Sequence, residues 1–270
     1  GYDANNCSDS TDAAVVVTAP PVLNAALSTT TDYCYTTANP ATLDVTVTGG
    51  TGPFTYKLDS NAAVSSALTS YSFSNVAPGT HTILVTDSNN CIATIANIVI
   101  APQIGFNVSL INDLTCLVNA SIGNPVETNG NGGPYTYTVT FGGTTTAVTS
   151  FPYTATVAGN YVFTVKDSRG CPATSNTIVV TPKTTPAHTT VKTDITCNGL
   201  NNGTITVTPS GGFTTTYTYA IKLSTATAYT TQTTNQFTGL AAGTYDIKVI
   251  DSKGCESTPT QVTIANPAAI

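Results

Sequence analysis

The sequence predicts an all-β protein made of tandem immunoglobulin-like β-sandwich modules arranged end to end, and three observations lead to that prediction. Threonine supplies 56 of the 270 residues, and β-branched residues fit the pleat of a strand. One cysteine-bearing segment recurs every 80 to 84 residues. Each copy holds about six or seven short alternating runs separated by turn residues, the pattern typical of such a sandwich.

Composition excludes several functional classes. The chain has 14 acidic and 8 basic residues, a net charge of -6, and 40% hydrophobic residues. So few basic groups exclude nucleic acid and anionic lipid as partners, because binding to either depends on Lys and Arg. The hydrophobic content argues against disorder. No run of about 18 apolar residues occurs, so direct membrane insertion is not expected.

The repeat is clearest in three segments that align without gaps: residues 77–91, 157–171 and 241–255. Each ends in cysteine and is followed by an apolar stretch that runs into a proline. The cysteines fall into two series with the same period. The hairpin series is Cys7, Cys91, Cys171 and Cys255, and the loop series is Cys34, Cys116 and Cys197.

These spacings divide the chain into four parts. Residues 21–102, 103–183 and 184–270 are predicted to be three immunoglobulin-like modules. Residues 1–20 have the pattern of the end of a preceding module, so the chain is interpreted as an excised or processed piece.

Early in each module a Thr/Val-rich strand, as at residues 43–48 and 204–208, ends in a Gly-Gly pair. An aromatic strand follows in every copy. The early strand of the second module, near residues 120–126, is interrupted by Gly123 and Pro125, so this copy is the least regular.

The last two strands of each module are predicted to form a hairpin. Alternating apolar residues, such as Tyr161, Phe163 and Val165, indicate a strand with one buried face. The Asp-Ser-x-Gly sequence at residues 167–170 and 251–254 is turn chemistry, with Asn90 in place of Gly in the first copy. The aspartate is expected to cap the turn.

The module resembles the SprB-type repeat of Bacteroidetes gliding-motility adhesins and related secreted surface proteins. The resemblance rests on residues 196–212, on the Tyr-Thr-Tyr strand and on residues 243–255, and it is strongest in the third module. It covers nearly the whole chain, although only the third module has Cys-Asn-Gly. It implies export by the type 9 secretion system, an extracellular, outer-membrane-associated location and no catalytic residues.

Cysteines without zinc-ligand spacing favour disulfides and an oxidising compartment. Pairing within modules gives Cys34–Cys91, Cys116–Cys171 and Cys197–Cys255, and leaves Cys7 without a partner in this chain; we favour this scheme. Pairing across module boundaries gives Cys7–Cys34, Cys91–Cys116 and Cys171–Cys197. One geometric objection applies to the first scheme, because the first loop and the last hairpin of a sandwich lie at opposite poles.

No catalytic constellation or cofactor site is predicted. His81 occupies the position of Tyr161 and is interpreted as a core residue, and His188 has no ligand partner nearby in sequence. The two glutamates, Glu127 and Glu256, lie in different modules, so no paired-carboxylate site is expected.

Aspartates recur at the start of the last hairpin and just before each loop-series cysteine, but each position offers one carboxylate, where calcium usually needs several. Calcium remains an alternative only where neighbouring modules bring aspartates together. The tyrosines outside the strand alternation, Tyr33, Tyr35 and Tyr229, are candidates for stacking on sugar rings. Ser10, within Asp-Ser-Thr, is a candidate O-glycosylation site.

The functional prediction is therefore a repetitive shaft segment of a long cell-surface adhesin or filament that serves attachment and gliding. Its expected partners are adjacent modules of the same chain, external surfaces or polysaccharide bound weakly and multivalently, and the secretion and motility machinery implied by the resemblance. The alternative is a carbohydrate-binding accessory array beside a polysaccharide-degrading enzyme.

Overall fold

The computed structural model describes residues 4–5, 18–213 and 216–268, and all regular elements in those ranges are β-strands. The chain divides into two compact units. The first comprises Gly1–Gly105, Thr128–Pro134 and Lys166–Pro172, and the second comprises Phe106–Glu127, Tyr135–Val165 and Ala173–Ile270. The predicted module boundaries remain a prediction.

The first predicted module forms seven strands, and they lie in the first unit. They are β1 (Asn24–Leu27), β2 (Ala41–Thr48), β3 (Phe54–Leu58), β4 (Val64–Ser66), β5 (Ser70–Val76), β6 (Gly79–Thr86) and β7 (Ile92–Ile100). They pair antiparallel in two sheets, in the orders β1-β2-β5 and β4-β3-β6-β7. This is an immunoglobulin-like Greek-key sandwich.

The core of this sandwich follows from the period-two pattern of its strands. In β2, the side chains of Leu43, Val45 and Val47 are buried, while Asp44 is partly exposed and Thr46 is exposed. Tyr56 is fully buried and donates its hydroxyl to the carbonyl oxygen of Leu68 at 2.7 Å. Each fully buried aliphatic side chain contributes about 1.5–3 kcal/mol relative to exposure, so the alternation explains why this face turns inward.

The second predicted module contains ten strands, most of them short. They are β8 (Gly105–Asn107), β9 (Leu110–Asn112), β10 (Ala120–Ile122), β11 (Val126–Thr128), β12 (Thr136–Phe141), β13 (Thr144–Val148), β14 (Tyr153–Ala155), β15 (Gly159–Lys166), β16 (Pro172–Thr174) and β17 (Ile178–Val180). The sheets are β14-β10-β9, β11-β8 and β13-β12-β15-β16, with β17 also pairing with β15. The predicted interruption is confirmed, because β10 ends at Ile122 and β11 begins after Pro125.

The third predicted module lies in the second unit and repeats the topology of the first. Its strands are β18 (Pro186–Thr193), β19 (Gly203–Gly211), β20 (Tyr217–Leu223), β21 (Thr230–Gln232), β22 (Gln236–Leu240), β23 (Gly243–Asp251) and β24 (Thr260–Ile264). The sheets are β18-β19-β22 and β21-β20-β23-β24. The core is built from alternating residues such as Ile205, Val207, Ile247 and Val249.

The predicted fold class, all-β with immunoglobulin-like sandwiches, is confirmed. Among the described residues, no helix is long and apolar enough to cross a membrane. The strand order has one consequence for the cysteines. The β1–β2 loop and the β6–β7 hairpin lie at opposite poles of a sandwich, and eight-residue strands separate those poles by about 25 Å.

Candidate functional site: the cystine corners

A buried aspartate organises the last hairpin of each sandwich. Asp167, at the end of β15, accepts hydrogen bonds through Oδ1 from the backbone N–H groups of Arg169 and Cys171, both at 3.0 Å. Its Oδ2 accepts the backbone N–H of Asn131 at 2.8 Å and the side-chain amide of Asn131 at 2.9 Å. The carboxylate therefore shapes the turn and also holds the Gly-rich loop between β11 and β12.

The same clamp occurs three times. Asp87 accepts the N–H groups of Asn89 and Cys91 through Oδ1, and that of Thr51 through Oδ2. Asp251 accepts those of Lys253, Cys255 and Phe213 in the same way, at 2.9–3.0 Å. All three aspartates are buried. The predicted turn cap is confirmed, and the second half of the clamp is a contact that the sequence did not reveal.

Backbone donors dominate the electrostatics of this clamp. Burial alone raises the pKa of Asp167, but the N–H groups of Asn131, Cys171 and Arg169 and the amide of Asn131 together lower it below the ordinary value of 3.8. The pKa of Asp87 is lowered for the same reason, by the N–H groups of Cys91, Thr51 and Asn89 against the effect of burial. Both groups are therefore carboxylates at neutral pH.

Two disulfides connect different predicted modules. Cys34, in the β1–β2 loop, bonds to Cys171 in the β15–β16 hairpin of the first unit, with the Cα atoms 5.1 Å apart. Cys116, in the β9–β10 loop, bonds to Cys255 in the β23–β24 hairpin of the second unit, with the Cα atoms 5.0 Å apart. In both cases a loop-series cysteine pairs with the hairpin-series cysteine of the next module.

The predicted pairing within modules is therefore wrong, and so is the alternative across boundaries. Cys34 is not bonded to Cys91, Cys116 is not bonded to Cys171, and Cys197 is not bonded to Cys255. The reason is that the loop and the hairpin lie at opposite poles of one sandwich. Their separation is far beyond the Cα–Cα distance of about 7 Å that a disulfide tolerates. The loop at one pole bonds instead to the hairpin of the following module.

The first cystine corner, defined by Cys34–Cys171 and the residues around it, adds an aromatic contact. The guanidinium of Arg169 lies over the ring of Tyr33, with Cζ 3.8 Å from the ring centroid. The backbone N–H of Cys34 donates to Asp32 Oδ1 at 2.9 Å. The cation of the hairpin thus contacts the aromatic residue that precedes the loop cysteine, an interaction worth about 0.5–1 kcal/mol at an exposed site.

The second cystine corner, around Cys116–Cys255, uses different contacts at the same positions. Lys253 corresponds to Arg169, but its Nζ lies 3.7 Å from the ring centroid of Phe213 and 3.5 Å from Asp113 Oδ2. The side chain of Leu117 lies against Gly254, where a Cβ atom would come within 2.5 Å of Leu117 Cδ1. No role was predicted for the third residue of Asp-Ser-x-Gly. Its basic side chain in two copies, Arg169 and Lys253, could have indicated a contact with an aromatic or acidic residue.

The remaining described cysteines, Cys91 and Cys197, are free and exposed. Cys7 and the candidate glycosylation residue Ser10 lie outside the described residues. Cys91 belongs to the hairpin series and Cys197 to the loop series, so each occupies a position at which other copies have a bonded cysteine.

The imidazole of His81 makes two polar contacts at the start of its strand, so its position is not a purely apolar core site. Tyr161 and Tyr245, the equivalent residues, donate their hydroxyls to the carbonyl oxygens of residues four positions earlier, at 2.7 and 3.1 Å. His81 Nε2 makes the same contact with the Ala77 carbonyl at 2.9 Å, and Nδ1 lies 2.8 Å from Asp59 Oδ2. The imidazole therefore takes over the role of the tyrosine at the start of the strand.

His188, for which no metal-ligand partner was predicted, contacts two hydroxyl side chains. Its Nδ1 lies 2.8 Å from Ser257 Oγ, and its Nε2 lies 2.7 Å from Thr260 Oγ1. Burial lowers the pKa of His188. Ser257 Oγ also accepts the backbone N–H of Val249 at 2.9 Å, so the three side chains link the ends of β18, β23 and β24.

The two glutamates remain separate, as their sequence positions indicate. Glu127 Oε1 accepts the hydroxyl of Tyr137 at 2.9 Å; burial first, and then this carboxylate, raise the pKa of Tyr137 to about 12. Glu256 Oε2 pairs with Lys248 Nζ at 2.6 Å. Each glutamate is occupied by a local partner.

The three tyrosines nominated for sugar stacking already have partners. Tyr33 and Tyr35 pack against the core of the first sandwich, and one face of Tyr33 carries Arg169. Tyr229 has Lys248 Nζ 4.5 Å and Lys222 Nζ 5.4 Å from its ring centroid. A sugar ring would have to use the opposite faces of these rings.

The aspartates near the loop cysteines anchor strands. Asp113 Oδ1 accepts the N–H groups of Leu114 and Thr181, and Asp194 Oδ1 accepts that of Ala265 at 2.7 Å. Each thus ties its loop to the chain just after the last strand of its own sandwich. Within residues 4–5, 18–213 and 216–268, no group of three or more His, Cys, Asp or Glu side chains is close enough to hold a metal ion.

Comparison with known proteins identifies one repeat family. The SprB repeat matches residues 27–63 and 189–225, the loop-cysteine halves of the first and third predicted modules. No curated protein matches the sequence.

The solved structures that this chain resembles share little sequence with it. Three N-terminal domains of the highly immunogenic outer capsid protein of bacteriophage RB49 are 9% identical, with a TM-score of 0.41, over 92% of this chain and 100% of theirs. The FN1–FN3 domains of chicken CNTN1 are 12% identical, with a TM-score of 0.29, over 92% and 99%. Latent PorU from Porphyromonas gingivalis is 10% identical, with a TM-score of 0.21, over 92% and 34%.

The repeat match and the covalent chemistry agree on the class of protein. Disulfides form and persist in oxidising compartments outside the cytoplasm. SprB repeats occur in secreted and surface proteins. The chain thus contains SprB repeats at residues 27–63 and 189–225, as the resemblance implied, and is a repeat segment of a secreted or surface protein.

Proposed function

We propose that this chain is a shaft segment of a long adhesin associated with the outer membrane, and that its modules bear load during attachment and gliding. The observation that supports this most directly is the repeated bond between the loop of one module and the hairpin of the next. A protein whose task is to transmit force gains from covalent ties between its modules, whereas a set of independent binding domains does not need them.

The two bonds change how tension passes through the chain. The shortest covalent path between the termini runs from Gly1 to Cys34, from Cys171 back to Cys116, and from Cys255 to Ile270. This path contains roughly 100 residues, so the oxidised chain extends to at most about 350 Å, against about 900 Å when reduced. The disulfides therefore limit extension even when the sandwiches unfold.

Single-molecule pulling from the two termini tests this mechanical proposal. The oxidised chain is expected to reach its limit near 350 Å, and the chain treated with a reductant is expected to reach about 2.5 times that length. The matched control is the variant with Cys91→Ser and Cys197→Ser, which keeps both cystines and should behave like the oxidised parent. Equal extension with and without reductant would remove the support for a stapled shaft.

Location and role need a test on cells that produce the protein. Antibody fragments raised against this chain are expected to label intact cells and to reduce their attachment to glass and their gliding. Fragments against a periplasmic protein serve as the control. Labelling that appears only after the outer membrane is permeabilised would contradict a surface shaft.

We propose no catalytic role for this chain. The arrangement closest to a nucleophile and base is Ser257 with His188, but Ser257 is only 4% exposed and its Oγ already accepts a backbone N–H. Such a hydroxyl has no free approach for a substrate. Hydrolysis of an ester or glycoside substrate by the purified chain, lost on His188→Ala or Glu127→Ala, would overturn this proposal.

A second candidate function, weak polysaccharide binding, is favoured by one cleft. It lies on the first sandwich, has a volume of about 460 Å³ and is lined by hydroxyl side chains, the Tyr71 ring and the Asp44 carboxylate. Asp44 accepts the hydroxyls of Thr30 and Ser72, and these hydrogen bonds lower its pKa. Hydroxyls and a carboxylate beside a ring suit a sugar's hydroxyls and apolar face.

A glycan array with the isolated chain decides this second candidate. Binding that is weakened at least tenfold by Asp44→Ala would support it, and Asp59→Ala, outside the cleft, serves as the matched control. Absence of binding at high protein concentration would leave the shaft as the only proposed role.

A further inference from the structure

The two observed disulfides follow one pairing rule. The loop-series cysteine of a module bonds to the hairpin-series cysteine of the module that follows it, as in Cys34–Cys171 and Cys116–Cys255. Under this rule, Cys197 requires a hairpin cysteine from a module after the third, and Cys91 requires a loop cysteine from a module before the first. Both thiols are free and exposed in this chain.

The hairpin that carries Cys91 has the same local structure as the two bonded hairpins. Asp87 holds the N–H of Cys91 at 2.9 Å, the distance at which Asp251 holds that of Cys255, and Asp167 holds that of Cys171 at 3.0 Å. Asn90, with φ of 64°, adopts the left-handed conformation of Gly170 and Gly254. The Cys91 thiol is therefore presented on a hairpin already shaped for the bond.

The loop that carries Cys197 matches the loop of bonded Cys116. Asp194 accepts the N–H of Ala265 just as Asp113 accepts that of Thr181, so both loops are tied to the residue after the last strand. Each cysteine follows its aspartate by three residues. The two free thiols thus have the same local structure as the bonded cysteines at the equivalent positions.

We propose that Cys91 and Cys197 are docking points for further copies of this module, and that each forms the same loop-to-hairpin disulfide with its neighbour. This inference deepens the proposed shaft function and rests on it only in assuming that such modules adjoin this chain. The partner is a module of the same fold that presents the complementary cysteine. Cys197 of one copy of this chain and Cys91 of a second copy satisfy the rule.

The chemistry is thiol oxidation by disulfide exchange. The Cys91 and Cys197 thiols lose two protons and two electrons and form one S–S bond. An oxidised disulfide reagent such as oxidised glutathione takes up the two electrons and is released as two thiols. Exposure of both sulfurs gives the reagent access to them.

Oxidation of the purified chain tests the proposal. The test uses a Cys7→Ser background, and a glutathione redox buffer at high protein concentration supplies the oxidant. We expect a ladder of dimers and longer species on a non-reducing gel that collapses to monomer on reduction. Peptide mapping is expected to find Cys91 joined to Cys197.

Single-cysteine variants make the expected pattern directional. Cys91→Ser alone and Cys197→Ser alone should each remain monomeric, whereas a mixture of the two should stop at a dimer. The double variant should form no oligomer. Dimers joined Cys91 to Cys91 or Cys197 to Cys197, formed as readily as the mixed pair, would show unspecific oxidation and overturn the proposal.

Two copies joined in one polypeptide distinguish a neighbour in the same chain from a separate chain. A Cys197–Cys91 bond only in the joined protein supports pairing along one polypeptide, because the linkage raises the effective concentration. The bond in mixed separate chains as well supports lateral or end assembly. If the bond forms in neither protein, the proposal is overturned. The shaft function is tested separately, by the surface labelling of intact cells.

Discussion

The two cystine corners join equivalent cysteines across a similar Cα–Cα distance but have different surroundings. In both, the Cα atoms lie about 5 Å apart and a buried aspartate holds the hairpin. Around Cys34–Cys171 the hairpin cation lies on Tyr33, whereas around Cys116–Cys255 it lies on Phe213 and near Asp113. The disulfide and the aspartate are therefore the repeated parts of the corner, whereas the cation contacts different aromatic and acidic side chains in each.

Removal of a disulfide should produce the largest loss in the free energy of unfolding, and the loss should be nearly equal for the two disulfides. Cys34→Ser with Cys171→Ser, and Cys116→Ser with Cys255→Ser, open loops with sequence separations of 137 and 139. The loop-entropy account gives a loss of about 5 kcal/mol in the free energy of unfolding for either. Urea unfolding of both variants measures this. A difference above about 1 kcal/mol between them would mean that the non-covalent contacts decide the stability of a corner.

Replacement of the clamp aspartate should rank second. Asp167→Asn and Asp251→Asn keep the shape but place an amide NH₂ opposite backbone N–H groups, with an expected loss of about 2–3 kcal/mol each. Asp32→Asn is the matched control, because Asp32 is exposed and accepts one N–H, and should lose no more than about 0.5 kcal/mol. If the three variants unfolded at the same urea concentration, the clamp would not be a stabilising element.

Acid should remove the contribution of the clamp. The folded-state pKa of Asp167 lies below 3.8, so its stabilising effect is complete above that pH and is lost as the pH falls through the folded pKa. The difference in melting temperature between the parent and Asp167→Asn is therefore expected at pH 7 and should shrink below about pH 4. A difference that stays constant down to pH 2 would contradict a charged clamp.

The hairpin glycines provide a matched pair for the two corners. Gly170→Ala and Gly254→Ala both place a Cβ on a residue with positive φ, 84° and 73°, which costs about 1 kcal/mol. Only at Gly254 does the Cβ meet a neighbour, Leu117, whose side chain is 78% exposed and free to turn away. Thermal unfolding should show losses within about 0.5 kcal/mol of each other. A much larger loss for Gly254→Ala would show that Leu117 is held firmly in the corner.

The cation contacts should give the smallest effect. Arg169→Ala combined with Tyr33→Leu in a double-mutant cycle should show a coupling energy of about 0.5–1 kcal/mol. Lys253→Ala with Phe213→Leu should give a similar or smaller value that falls as salt is added, because Asp113 shares the lysine. A coupling of zero at both corners would reduce the cation to a solvated surface residue.

Much of the fold could be predicted from local chemistry. Alternation identified β6, β15 and β23, and Gly123 with Pro125 identified the break in the second module, because period two and backbone restriction act within a few residues. The turn aspartates were identified for the same reason. Their second contact, with the Gly-rich loop, spans 36 to 38 residues in sequence and left no local pattern.

The disulfides could not be predicted from spacing, because every pairing scheme preserves the period of about 82 residues. The decisive information was geometric. The poles of one sandwich are too far apart for Cys34 to reach Cys91, so only a neighbouring module could supply the partner. The distance between the poles could be predicted from strand order alone. The bond from the loop of one module to the hairpin of the next was seen only in the structure. The hydrogen-bond partners of His188 could not be predicted, because Ser257 and Thr260 lie about 70 residues away in sequence.

The overlap of the two disulfide-closed loops affects how the chain survives damage. The loop from Cys34 to Cys171 and the loop from Cys116 to Cys255 share residues 116–171. A single break of the backbone at any peptide bond between Cys34 and Cys255 therefore leaves both fragments joined by at least one sulfur bridge. An extracellular protease that nicks one exposed turn would not sever the protein, so its continuity does not depend on any one peptide bond in this span.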